Sequence, residues 1–328
     1  MRLTHISLRN VRGLTVSTAC APGTPLVVTG PAVSGKTTFL EAIVAAKEAA
    51  GAYGTPGRPE DFRGLGDAGQ VSLSLENVAD HGSPSVTRFA IDWSLAAKAP
   101  QDLTTSTVAA RLREFSVSPD VWKMEYFHSE RTIGDVGVER TEGAMRLTKH
   151  PTKYGFIRRY LEDLVHEEAA GALRSLRADG VAVAEPGDRP GSRFTYALSV
   201  LAPTLRWDGC ERHESSPQSW NGSWHESWKS WFIRPAGPRV ELGALAGSEK
   251  AAVLVAASWA GLGLDRALVL VDHPEAGLHP SQHVAFFEGL AALMVRGQLI
   301  VTTTSPAILR AVPRSQVVVL GGVGADPH

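Results

Sequence analysis

Gly30-Pro31-Ala32-Val33-Ser34-Gly35-Lys36-Thr37-Thr38 meets the pattern G-x-x-x-x-G-K-[ST] at every fixed position. Each fixed position has a chemical reason. Glycines let the backbone curl until several N–H groups converge on one phosphate. Lys36 reaches the outer phosphates, and the Thr37 hydroxyl is placed for a divalent cation. Working outward, Pro25-Leu26-Val27-Val28-Thr29 reads as a buried strand, and Phe39 to Ala46 as a helix with its N-terminus aimed at the phosphates. In a chain with 32 glycines the pattern alone also fits a structural turn. The strand before it and the helix after it favour nucleotide binding, with Gly30, Ser34, Gly35, Lys36, Thr37 and Thr38 as the binding residues.

A second apolar run, Ala267-Leu268-Val269-Leu270-Val271-Asp272, predicts a buried strand that ends in an acid. Such a strand carries Asp272 to the sheet edge, where it can share a Mg²⁺ shell with Thr37. The alternative is an ordinary core strand followed by a turn aspartate. Gln298-Leu299-Ile300-Val301-Thr302-Thr303-Thr304-Ser305-Pro306 is another strand with a polar exit, and Val240 to Lys250 leads into an Ala-rich helix.

Bulk composition bounds the rest. The 328 residues, 43% hydrophobic and 20% charged, suit a soluble globular chain of one large or two ordinary domains. With 33 basic and 34 acidic residues the formal net charge is −1, which argues against a broad nucleic-acid footprint but leaves room for a local basic groove. Two cysteines, Cys20 and Cys210, form no disulfide framework or zinc spacing and suit a reducing cytoplasm. No apolar run has transmembrane length, and the start has no signal-peptide pattern.

Between the two halves the reading is coarser. Residues 50–69 are Gly- and Pro-rich and read as a surface loop. Val71–Leu75 and Thr87–Trp93 alternate and predict an antiparallel hairpin or meander around His81-Gly82-Ser83-Pro84. Val108 to Phe115 looks helical, and Lys123 to Phe127 is a candidate strand ending at His128-Ser129-Glu130-Arg131. Tyr154 to Leu176 has the apolar spacing of an amphipathic helix. Phe194, Leu198, Leu201 and Leu205 mark a second helical piece. Trp220, Trp224, Trp228 and Trp231 would align on one helix face, although Asn221-Gly222-Ser223 weakens that reading. The Trp-rich segment 207–232 is either an insertion packing its own apolar cluster or a docking surface for another protein. Three stretches result: an N-terminal part of the core (1–135), a helical and Trp-rich insertion (136–235) and a C-terminal part of the core (236–328).

The set of motifs resembles an ABC-class ATPase head of the RecF, SMC and OLD-like group. The resemblance rests on the phosphate loop, on Leu8-Arg9-Asn10-Val11-Arg12-Gly13-Leu14, on Tyr126 to Arg131, on Ala244 to Lys250 as signature, and on Asp272-His273-Pro274-Glu275-Ala276-Gly277-Leu278-His279-Pro280 followed by Thr302 to Pro306. It covers about residues 1–135 and 235–322 and implies an α/β P-loop NTPase fold: an ABC-like mixed sheet with an antiparallel subdomain. It also implies ATP and Mg²⁺ as cofactors, Thr37 and Asp272 as metal ligands, and an ATP-sandwiched homodimer with Gly247, Ser248 and Glu249 facing the partner's γ-phosphate. Three positions depart from the family pattern. His273 stands where a water-polarising Glu is usual, Thr304 replaces the switch His, and Ala246 replaces the signature Ser. A lost base typically costs on the order of 10²–10⁴-fold in rate, so slow hydrolysis is the expectation. His273, Glu275 and Thr304 are the candidate catalytic residues. His273 either serves as base or merely packs beside the nucleotide, and His279 reads as a turn residue.

Arg140, Arg146, Lys149, His150, Lys153, Arg158 and Arg159 form a locally basic stretch, either a DNA contact or a helix face diluted by Glu139, Glu142, Glu162 and Asp163. The leading reading is a cytoplasmic ATPase head that switches dimerisation or partner docking in DNA maintenance or a defence-type complex. A non-hydrolysing nucleotide-binding scaffold is the alternative. A small-molecule kinase is disfavoured by the long separation of Lys36 from Asp272 and by the signature-like segment before it.

Overall fold

A computed structural model describes residues 2–21, 23–49, 69–79, 85–94, 124–131, 133, 154–177, 190–213, 227–235, 237–294 and 296–321. The chain divides into two compact units: Met1–Glu130 with Thr141–Lys149 and Gly263–His328, and Arg131–Arg140 with His150–Leu262. The signature-like segment, grouped by sequence with the C-terminal core, therefore belongs to the second unit. The expected loop at 50–68, the turn at 81–84, the helix at 108–115, Trp220, Trp224 and the basic residues 140–153 lie outside the described residues.

In the first unit, strands β1 (Arg2–Val11), β2 (Leu14–Ala19), β3 (Leu26–Thr29), β4 (Gln70–Ala79), β5 (Ser85–Ser94), β6 (Met124–Phe127), β10 (Leu268–Asp272), β11 (Gln298–Thr302) and β12 (Val317–Val319) form two sheets among the described residues. One is antiparallel, in the order β2-β1-β4-β5, and contains the hairpin expected from the alternation. The other is parallel, in the order β12-β3-β11-β10-β6. Strict alternation would put Leu3 on the face opposite Ile6 and Leu8. A register shift between Leu3 and His5 turns all three inward, and each is fully buried.

Helix α1 (Lys36–Ala49) lies between these sheets. Phe39, Leu40 and Ile43 share one apolar core with Ile6, Leu8, Leu73 and Leu75 of the antiparallel sheet and with Leu270 and Ile300 of the parallel one. This two-sided burial explains why α1 is apolar nearly all round rather than on one stripe. Its last-turn Lys47 is buried and donates to the Met124 carbonyl of β6 at 3.1 Å.

The second unit contains helices α2 (Phe156–Arg177), α3 (Pro190–Leu201) and α4 (Gly247–Leu262), with an antiparallel sheet of β7 (Arg206–His213), β8 (Ser227–Ile233) and β9 (Arg239–Glu241). Helix α3 stops at Leu201, two residues before Pro203, so Leu205 is a buried loop residue rather than part of the expected helical run. The expected helix face of tryptophans is also corrected. Trp228 and Trp231 lie on strand β8, where a three-residue step places them on opposite faces. Trp228 meets His166 edge-on at 5.1 Å, and Arg239 stacks over Trp231 at 5.0 Å. Trp207 on β7 meets Phe194 of α3 edge-on at 5.5 Å. Small residues let the helices close up: a Cβ at Gly261 would meet the Tyr160 ring at 3.0 Å. Helices α5 (His283–Leu293) and α6 (Pro306–Ala311) return to the first unit.

Candidate functional site

The site lies at the carboxyl ends of three adjacent parallel strands, β3, β11 and β10, which is where ligands bind in sheets of this kind. Strand β3 delivers Gly30, and α1 begins at Lys36 with no intervening residue after the loop. Gly30 is required by space. A Cβ there would stand 2.5 Å from the Leu320 carbonyl oxygen and 2.6 Å from Ser34 Oγ. Gly35 has φ +90° and sits against Leu14, from the opening motif. That motif also places Arg12, which pairs with Glu41 of α1. Val33 is an unusual loop residue, β-branched at φ +63° and 88% exposed.

Lys36 Nζ donates across the loop to the Gly30 and Pro31 carbonyls at 3.0 and 2.7 Å. Thr37 Oγ1 donates to both Asp272 oxygens, at 3.2 and 3.1 Å. Asp272, nearly inaccessible at the end of β10, also accepts from Thr302 Oγ1 of β11, its register partner. A hydroxyl and a carboxylate converging in this way form a hard-oxygen set that suits Mg²⁺. Among the described residues, no group of three or more His, Cys, Asp or Glu side chains could hold a metal. A cation here would thus keep other ligands besides the protein's, as Mg²⁺ commonly does. Ser34 Oγ is buried with no hydrogen-bond partner among the described residues, a polar atom that fits a phosphate-cradling loop.

Beyond Asp272 the chain turns sharply at His273, whose φ is +48°. Its N–H donates to the Thr302 carbonyl and hydroxyl oxygens, both at 3.1 Å. Its Nδ1 lies 3.3 Å from Glu275 Oε1. That oxygen also accepts from Thr303 Oγ1 at 2.7 Å and from the Thr304 N–H at 2.9 Å. Burial pushes the Glu275 carboxyl up, but the hydrogen bonds from His273, Thr304 and Thr303 outweigh it and hold it at about 2. The His273 ring is shifted upward, chiefly by its hydrogen bond to Glu275 and against its partial burial. The three candidate catalytic residues therefore meet around one carboxylate, with Thr304 exposed at the rim.

His279 caps the short turn Pro280–Gln282 through the Ser281 N–H, the turn role expected for it. His283 ties the turn after Asp272 to the exit of β11, with Nδ1 2.9 Å from Ser305 Oγ and Nε2 3.3 Å from the Leu278 carbonyl oxygen. Sequence reasoning missed Thr302, Thr303 and His283. The signal available was the run of three threonines at a strand exit.

In the second unit Gly247 opens α4, and Ser248 follows. Glu249 is fully engaged: it accepts from the Ala246 N–H at 2.8 Å and from Arg234 at 2.7 and 2.6 Å. Arg234, first, and then the Ala246 N–H hold its carboxyl below the usual range against burial.

These features define a domain with a P-loop-type α/β core. The chain belongs to the family described as "AAA domain, putative AbiEii toxin, Type IV TA system", whose model matches residues 26–310. No curated protein matches it. Among solved structures it is similar to an SMC head bound to the C-terminal winged-helix domain of ScpA, at 15% identity and TM-score 0.51, over 97% of this chain and 96% of that one. The SMC head domain from Thermotoga maritima gives 15% identity and TM-score 0.47 over 98% and 94% of the two chains. The Pyrococcus furiosus SMC head with an extended coiled coil, bound to the C-terminal domain of ScpA, gives 14% and 0.48 over 95% and 92%. No helix among the described residues is long and apolar enough to cross a membrane.

Proposed function

We propose that the chain binds ATP·Mg²⁺ in the loop 30–38 and uses that binding, with slow hydrolysis, to switch dimerisation or partner docking. The observation that carries this reading is the meeting of Lys36, Thr37 and Asp272 at the ends of β3 and β10. Lys36 neutralises the outer phosphates, while Thr37 and Asp272 hold the cation, which spreads phosphate charge when bound. His273, held by Glu275 on the Thr303–Thr304 turn, takes the place of the usual carboxylate base. An imidazole beside a carboxylate can accept a proton near neutral pH. Ala246 and Thr304 supply no equivalent of the family's signature and switch groups, so turnover is slow.

A second protomer contributes Gly247 and Ser248 opposite the nucleotide. Glu249 acts by holding the first turn of α4 together with Arg234, rather than by meeting the phosphate itself. The family description names a toxin of a toxin–antitoxin system, which supports the defence-type setting over DNA maintenance. An SMC head of similar fold is bound to another protein's winged-helix domain, which by analogy supports partner docking. The non-hydrolysing scaffold is favoured by one observation, the saturation of Glu275 Oε1 by its neighbours.

Turnover of ATP and particle size with and without ATP test this, in wild type beside Lys36→Ala and Asp272→Ala. Slow turnover lost in both variants, with an ATP-dependent rise to dimer mass, is expected. Binding and dimerisation without turnover would select the scaffold. Unchanged size would remove the dimer.

A further inference from the structure

Strand β11 ends at Thr302, the first of three consecutive threonines, and Thr302 is wholly inaccessible. A buried hydroxyl has one proton to give. At Thr302 that proton goes to Asp272 Oδ1, while Thr302 Oγ1 itself accepts the His273 N–H at 3.1 Å. Parallel register places Thr302 directly beside Asp272, so the bond spans neighbouring strands without backbone distortion. The remaining residues of β11 are Gln298, Leu299, Ile300 and Val301, a strand in which valine would satisfy packing at 302 as well as threonine does. Packing therefore does not account for the hydroxyl.

We infer that Thr302 is a positioning residue for the cation site. It fixes the rotation of the Asp272 carboxylate and, through the His273 N–H, the start of the turn that carries His273 and Glu275. The inference rests on the reading that Thr37 and Asp272 hold Mg²⁺. A ligating carboxylate is held by a hydrogen bond from the next layer, and loss of such a partner typically lowers metal affinity about 10- to 100-fold. One side chain thus serves two groups: the acid that holds the cation and the backbone that aims the candidate base.

The test is ATP affinity measured in Mg²⁺ and again in EDTA, for wild type, Thr302→Val and Thr302→Ser, with circular dichroism of each. In wild type Mg²⁺ strengthens ATP binding. Thr302→Val is expected to lose about tenfold or more of that gain while its affinity in EDTA stays at the wild-type value, and Thr302→Ser is expected to restore the gain. A Thr302→Val protein with the full wild-type gain would overturn the inference, as would equal loss in Thr302→Ser. Should Thr302→Val fail to fold, Thr302→Ala takes its place with the same expectation. A wild type that binds ATP without any Mg²⁺ gain would instead sink the cation reading, and this inference with it.

Discussion

Thr37 and Asp272, 235 positions apart in the chain, meet through a hydroxyl–carboxylate pair at 3.1 and 3.2 Å. The start of α1 and the end of β10 are thereby joined at the point where a cation would bridge them. Replacing Asp272 by Ala should leave ATP affinity in EDTA nearly unchanged and cut the affinity in Mg²⁺ by about tenfold or more. Thr37→Val should act in the same direction and more weakly, because its carboxylate partner remains. Isothermal titration of both variants checks this, and equal losses in EDTA would show that the pair is structural.

Glu275 gives a pH signature. Its carboxyl sits at about 2, below the ordinary value of 4.5. A depressed acid stabilises the fold above its unfolded pKa and loses that contribution as pH falls through its folded one. The contribution at neutral pH is on the order of 3 kcal/mol. His273 is shifted upward, so its contribution is present below its ordinary 6.5 and fades as pH rises through its folded value. Glu275→Gln should melt below wild type at pH 7, with the gap closing between pH 4.5 and 2. A gap independent of pH would contradict the assignment.

Val33 carries strain in the phosphate loop, since a β-branched residue at φ +63° costs about 1–2 kcal/mol. At 88% exposure it recovers little by packing. Glycine relieves that strain at an entropic cost of about 0.5–1 kcal/mol. Val33→Gly should therefore raise thermal stability by up to about 1 kcal/mol, read as a small increase in Tm. A decrease would mean that Val33 makes contacts that matter in solution.

Gly30 faces the opposite constraint. Its added Cβ would collide with a backbone oxygen of Leu320, which cannot swing away as a side chain can. Gly30→Ala should cost about 1–3 kcal/mol of stability and weaken ATP binding. Wild-type melting and affinity would show that the loop adapts freely.

Much of this arrangement was legible in the sequence. The strand, loop and helix over 26–49, the apolar strand ending in Asp272 and the alternation of β4 and β5 each depend on local pattern, and these elements form as expected. The Trp-rich segment misled because steps of three and four fit a helix equally well as a list of positions. On β8, Ser230 and Phe232 are the buried positions, and the tryptophans are split between faces. Thr302 was missed for a different reason. Its role depends on which strand lies beside β10, and the sequence does not show that β11 rather than β3 holds that place. The bond between Glu249 and Arg234 was invisible in the same way, because the residue after β8 and the first turn of α4 are brought together only by the fold.

Binding of ATP·Mg²⁺ by the loop at 30–38 would run through Lys36. Isothermal titration of ATP·Mg²⁺ into wild type and Lys36→Ala tests it most directly. Saturable binding by wild type is expected, with a loss of about 10- to 100-fold in the variant, the worth of one charge-assisted hydrogen bond to phosphate. Equal affinities in the two proteins, or no binding by a folded wild type, would contradict it.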